Sequence, residues 1–121
     1  MCSSDLNNVA FKNGLAISYS KLGSTHTALG NLDKALTFFE KYNELEAELF
    51  ADYPNNVDFK NGLATSYLLL GQFYRDQKKD AATAQAYIQK GYALYAELVR
   101  DFPNYTSFQK NYNWAKNALN P

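Results

Sequence analysis

Apolar side chains recur every three or four residues through most of this chain, the spacing that places them on one face of a helix. The first such stripe consists of Phe11, Leu15, Tyr19, Leu22, His26 and Leu29. The polar breaks GNLD and DQKKD interrupt the pattern, and prolines end two later stripes, at Pro54 and Pro103. No segment alternates with the two-residue period of a strand. The pattern therefore predicts an all-α chain of five helices, at about 8–29, 32–52, 56–77, 80–101 and 105–119.

The stripes belong to an internal repeat. The segment NNVAFKNGLAISYSKLG begins at Asn7, and NNVDFKNGLATSYLLLG begins at Asn55. A repeat of this length is typical of stacked helical units that bury one another. We therefore predict a single helical-repeat domain over residues 7–121. It comprises two full repeats and a third copy with room for one capping helix, at 7–54, 55–103 and 104–121.

Residues 1–6, MCSSDL, stand outside the repeat. CSSDL is also a translation of sequencing-adapter DNA, so we expect a non-native or disordered N-terminal arm, the alternative being an ordinary polar arm. On the first hypothesis the protein is a fragment that lacks upstream repeats. The first helix would then expose apolar residues, and the isolated chain would be marginally stable or would self-associate. The predicted exposed residues are Val9, Ala16 and Ile17.

The repeats resemble the tetratricopeptide repeat (TPR) pattern, W-x2-L-G-x2-Y followed by A-x3-F. The matching segments are Tyr19-x2-Leu22-Gly23-x2-His26 with Ala35-x3-Phe39, and Tyr67-x2-Leu70-Gly71-x2-Tyr74 with Ala84-x3-Ile88. Each unit is longer than the common one of about 34 residues, which fits roughly two extra turns on each helix. The resemblance implies a right-handed α-solenoid of antiparallel helix pairs, whose first helices line a concave groove. Because Gly23 and Gly71 lie inside helices, we also predict close helix approaches there.

Composition argues against several classes of partner. Twelve basic and twelve acidic residues cancel, so no net charge draws the chain to nucleic acid or to an anionic membrane. No apolar run has the length of a membrane span. The single cysteine, Cys2, forms no internal disulfide, which is compatible with a cytoplasmic location.

The residues also predict no enzyme. His26 is the only histidine, and it occupies the position of Tyr74 in the second repeat, so packing between helices is its expected role. No cysteine or acidic cluster pairs with it, and no glycine-rich loop resembles a phosphate-binding motif. We therefore predict no catalytic residue, no metal and no cofactor.

The predicted function is a protein–protein interaction module that binds a peptide or a partner helix in the groove. The candidate groove residues are Asn13, Ile17, Ser20, Ser24, Asn61, Thr65, Leu68, Gln72, Arg75 and Trp114. Asn13 and Asn61 are either ligands of a bound backbone or tolerated polar surface. Trp114 is either a binding hot spot or a seal at the end of the stack. The alternative function is a structural spacer or oligomerisation segment without a groove ligand.

Overall fold

The computed structural model describes residues 2–120, with side chains from residue 8 onward; Met1 of the predicted arm and Pro121 of the predicted cap lie outside. Within the described residues the chain forms five α-helices and no strand. They are α1 (Cys2–Ala28), α2 (Leu32–Asp52), α3 (Val57–Asp76), α4 (Ala81–Asp101) and α5 (Thr106–Leu119). This confirms the all-α helical-repeat fold.

The helix ends agree with the predicted ones to within one residue, except at the start of α1. That helix begins at Cys2 rather than near residue 8, so residues 2–6 of the predicted arm lie in it. The non-native origin of the arm stays a prediction. Periodicity located the other ends well because each coincides with a polar break or precedes a proline.

The loop inside each repeat turns on one residue with left-handed backbone. Gly30 has a φ of 81°, and Lys79 has a φ of 56° in the loop that is one residue longer. Glycine adopts this conformation at no steric cost, whereas lysine does not. Asp80 caps the start of α4, since its side chain accepts from the Thr83 amide at 3.1 Å. Asn31 is also an N-cap residue, but its side chain makes no capping hydrogen bond.

Consecutive helices along the chain pack against one another. Within the repeats, ion pairs at equivalent places tie the start of the first helix to the end of the second: Lys12 with Glu48 at 3.7 Å, and Lys60 with Glu97 at 2.6 Å. Between repeats, aromatic rings join the end of one unit to the start of the next. These ring pairs are Tyr53 with Phe59 and Phe102 with Phe108. The core therefore runs along the stack rather than around one centre.

Glycine allows the closest helix approaches, as predicted. A Cβ on Gly23 would lie 2.6 Å from the ring of Phe39. A Cβ on Gly71 would collide with Ile88 and lie 3.2 Å from the carbonyl oxygen of Ala84. Both contacts join the two helices of one repeat, so a side chain at either glycine would collide with the facing helix.

Gly71→Leu should destabilise the chain by about 1–3 kcal/mol through overpacking, although leucine has the better helix propensity. Gly14→Leu is the matched control, because no atom lies within 4 Å of a Cβ built at Gly14. Urea unfolding measures both. A Gly71→Leu variant as stable as the parent chain would reject the close crossing.

Candidate functional site

Two adjacent cavities flank α3, the central first helix, and share Leu69 and Gln72. The α1–α3 cavity has a volume of about 220 Å³ and is lined by Ser24, Thr27, Phe39, Leu69, Gln72, Phe73, Asp76 and Gln77. The α3–α5 cavity has a volume of about 230 Å³ and is lined by Thr65, Leu68, Leu69, Gln72, Tyr95, Asn111 and Trp114. Together they form a continuous two-cavity surface along the first helices.

Tyr95 of α4 supplies the polar floor of the α3–α5 cavity. Its ring is fully buried, and its hydroxyl donates to Oδ1 of Asn61 at 2.7 Å. That hydroxyl also lies 2.7 Å from the Thr65 hydroxyl and accepts from Nδ2 of Asn111 at 3.1 Å. Burial raises the pKa of Tyr95, against the lowering effect of the bonds to Thr65 and Asn111. The floor is therefore a neutral, fully hydrogen-bonded network.

Trp114 forms the α5 wall of the same cavity and is half-buried. The guanidinium carbon of Arg75 lies 5.1 Å from the centre of the Trp114 ring, in a cation–π contact. Arg75 also donates to both carboxylate oxygens of Asp76, at 2.8 and 3.2 Å. This hydrogen bonding holds the pKa of Asp76 below its ordinary value. The charge of Arg75 is thus compensated beside the cavity.

The structure brings several predicted groove residues together. Thr65, Leu68, Gln72 and Trp114 line one cavity, and Ser24 with Gln72 lines the other. Leu68 is largely a core residue, since only 8% of it is exposed. Asn13, Ile17 and Ser20 line neither cavity.

The side-chain carbonyl of Asn61 supports the fold rather than facing a ligand, because Oδ1 accepts the hydrogen bond from the Tyr95 hydroxyl. His26 stacks on Phe38, with ring centroids 5.4 Å apart, as its packing role predicts. The prediction that α1 exposes Ala16 is wrong, because Ala16 is fully buried. Ile17, also predicted to be exposed, is half exposed.

Sequence reasoning missed Tyr95, Asn111 and Leu69 as cavity residues. Tyr95 lies on a second helix, whereas the family resemblance implies a groove lined by first helices. Asn111 occupies the repeat position of Gly62, so the aligned repeats could have marked it as a substitution. Leu69 precedes Gln72 by three residues, and this helical spacing could have placed the two on one face.

Glu46 of α2 stands at the repeat position of Tyr95 but lacks its partners. Only 4% of Glu46 is exposed, and Oε2 has no hydrogen-bond partner among the described residues. Its carboxylate packs where a Cβ on Gly62 would lie. The positions of Thr65 and Asn111 are held here by Ile17 and Gly62, which offer no side-chain donor.

Burial raises the pKa of Glu46 from 4.5 to about 7. Burial also raises the pKa of Tyr42, on the same helix, and the charge of Glu46 adds to that rise. An unpartnered carboxylate costs free energy when ionised in an apolar surrounding. The first repeat therefore contains a carboxyl group that titrates near neutral pH, Glu46, at the position where the second repeat contains the neutral phenol of Tyr95.

The family model for the Tetratricopeptide repeat matches residues 16–49, from α1 into α2. This confirms the predicted resemblance. Repeats of this family generally mediate protein–protein interaction and typically act as non-catalytic scaffolds. No curated protein and no solved structure matches the chain.

The described residues contain no group of three or more histidine, cysteine, aspartate or glutamate side chains arranged to hold a metal ion. No helix in the described part of the chain has the length and apolar character needed to cross a membrane.

Tyr95→Phe should destabilise the chain by about 1–3 kcal/mol, because it removes the hydroxyl shared by Asn61, Thr65 and Asn111 and leaves buried polar groups without a partner. Tyr105→Phe is the matched control, since half of Tyr105 is exposed. Denaturant melts compare the two variants. Equal stability of the two variants would contradict a stabilising role for the Tyr95 hydrogen-bond network.

The stability linked to Glu46 should fall as pH rises. The folded pKa of about 7 lies above the ordinary value of 4.5, so the native state holds a proton that the unfolded state releases. This contribution is fully present below about pH 4.5 and is lost as pH rises through about 7. Glu46→Gln removes the charge and should exceed the parent in stability by roughly 2–3 kcal/mol at about pH 8, with little gain at about pH 4.5.

Urea unfolding of Glu46→Gln at these two pH values measures the difference. Glu44→Gln is the control for removing one carboxylate from α2, because Glu44 is exposed. A gain in Glu46→Gln that is the same at both pH values would contradict a protonated native Glu46.

Proposed function

We propose that this chain, which contains a tetratricopeptide repeat at residues 16–49, binds an extended peptide or a partner helix along the two cavities that flank α3. The observation that carries the proposal is the α3–α5 cavity, where three groove residues expected from sequence, Thr65, Leu68 and Gln72, meet a partly exposed tryptophan. Tryptophan is the residue type most enriched in binding hot spots.

The lining of the cavities favours an uncharged ligand segment. Leu68, Leu69 and Trp114 supply apolar walls, while Gln72 supplies an amide that is exposed to solvent. The nearby charges of Arg75 and Asp76 neutralise each other. An apolar side chain would fill the α3–α5 cavity, and the Gln72 amide would bond the peptide backbone.

The shared residues support a ligand that spans both cavities. Leu69 and Gln72 face the two cavities from one helix, so a bound chain would cross α3 without leaving the surface. The α1–α3 cavity adds Ser24 and Thr27 as polar side chains on the first repeat. A ligand of this kind would contact both repeats at once, as ligands of repeat proteins do on their extended surfaces.

Selection of random peptides displayed on phage tests the proposal. We expect selected peptides to share an apolar residue and to change the fluorescence of Trp114, the only tryptophan. Gln72→Ala and Trp114→Ala should each weaken binding by about tenfold or more, equivalent to about 1.4 kcal/mol. Gln109→Ala is the control, because Gln109 is exposed on α5 and lines neither cavity.

Circular dichroism melts of each variant separate lost binding from lost folding. Peptides that bind the parent, Gln72→Ala and Trp114→Ala chains equally would place the interaction elsewhere. A selection that enriches no peptide would favour the alternative function, a structural spacer without a groove ligand.

A further inference from the structure

One stripe of α1 is uncovered. Phe11, Gly14, Ser18 and Leu22 follow one another at intervals of three, four and four residues, so they share one helix face. Phe11 is 69% exposed and Leu22 is 39% exposed. Among the described side chains no atom lies within 4 Å of a Cβ built at Gly14, and the exposed Ser18 hydroxyl donates to the Gly14 carbonyl within its own helix. We call these four residues the α1 stripe.

The equivalent stripe of α3 is covered by α2. It consists of Phe59, Gly62, Ser66 and Leu70. Phe59 and Leu70 are 7% and 1% exposed, and Ser66 is fully buried.

The α2 contacts to that stripe follow an antiparallel order. The ring of Tyr53 lies 6.0 Å from the ring of Phe59, and the Glu46 carboxylate packs against Gly62. Nδ2 of Asn43 donates to the Ser66 hydroxyl at 2.8 Å. Leu70 packs in one cluster with Ala35 and Phe39.

The third copy repeats the arrangement under α4. The equivalent residues of α5 are Phe108, Asn111, Ala115 and Leu119. Phe108 and Ala115 are buried, and the ring of Phe102 lies 6.4 Å from the ring of Phe108. The same stripe is therefore covered twice by the second helix of the preceding unit and is uncovered once.

We propose that the α1 stripe is the docking face for a helix of the α2 and α4 kind, supplied by a further repeat that precedes Asn7 in the natural protein. The α1 stripe continues the series formed by the α2–α3 and α4–α5 interfaces, which is the argument for this occupant rather than another. The proposal is independent of the groove ligand, because the stripe includes no residue that lines either cavity.

The equivalent contacts define the chemistry of the docking helix. It runs antiparallel to α1 and places an aromatic ring near its C-terminal end, opposite Phe11. It carries a hydrogen-bond donor opposite Ser18, as Asn43 is opposite Ser66. It presents apolar side chains to Leu22, as Ala35 and Phe39 do to Leu70.

The test compares the 121-residue chain with an extended chain in which a second copy of residues 7–54 directly precedes Asn7. Both carry Cys2→Ser, so that an introduced cysteine is the only thiol. The thiol of Leu22→Cys should react readily with a maleimide in the 121-residue chain and at least tenfold more slowly in the extended chain. The thiol of Leu70→Cys, the matched control, should be protected in both and so reports that both chains fold.

Phe11→Ala gives a second readout. It should leave the thermal midpoint of the 121-residue chain nearly unchanged and lower that of the extended chain by several degrees. Phe59→Ala should lower both midpoints. Ile17→Ala should change neither, because Ile17 is exposed and lies off the α1 stripe.

Two results would overturn the proposal. The first is a Leu22→Cys thiol that stays equally reactive in an extended chain whose Leu70→Cys thiol is protected. The second is a discrete dimer of the 121-residue chain that protects Leu22→Cys and is dissociated by Phe11→Ala, since a second copy would then be the occupant.

Discussion

Each first helix after α1 in this chain is held by the second helix of the unit before it, and the rest of the architecture depends on that interface. The interface buries one stripe in α3 and again in α5, with an aromatic pair where the units join, as in Tyr53 with Phe59. Because contacts run between neighbours along the sequence, the chain has a linear core, and its stability is a sum over adjoining pairs. A first helix without a preceding partner therefore exposes the same apolar stripe that its counterparts bury.

The same position in that interface carries two different chemistries. Tyr95 is satisfied by three polar neighbours, whereas Glu46 meets Gly62 and keeps an oxygen without a partner among the described residues. The hydroxyl stays neutral at ordinary pH, while the carboxylate is neutral only when it holds a proton. The second repeat is thus neutral at this position, whereas the first repeat loses stability when Glu46 is deprotonated. Three substitutions between aligned positions accompany this difference: Glu46 for Tyr95, Ile17 for Thr65 and Gly62 for Asn111.

The candidate groove consists of two cavities that flank α3. Side chains on α3 reach both flanking cavities, which makes Leu69 and Gln72 common to the two. The closeness of the helices within each pair comes from glycine, at Gly23 and Gly71.

The sequence by itself determined the helices, the repeat and the close approaches at Gly23 and Gly71, because these follow from local spacing and from the steric cost of a Cβ. The repeat register also predicted four of the seven residues that line the α3–α5 cavity. Only the tertiary structure decided that Tyr95 enters that cavity from a second helix, that Ala16 is buried and that Oε2 of Glu46 has no partner among the described residues. Each of these depends on which helix covers a residue, and helical periodicity gives the face on which a residue lies but not the atoms that meet it.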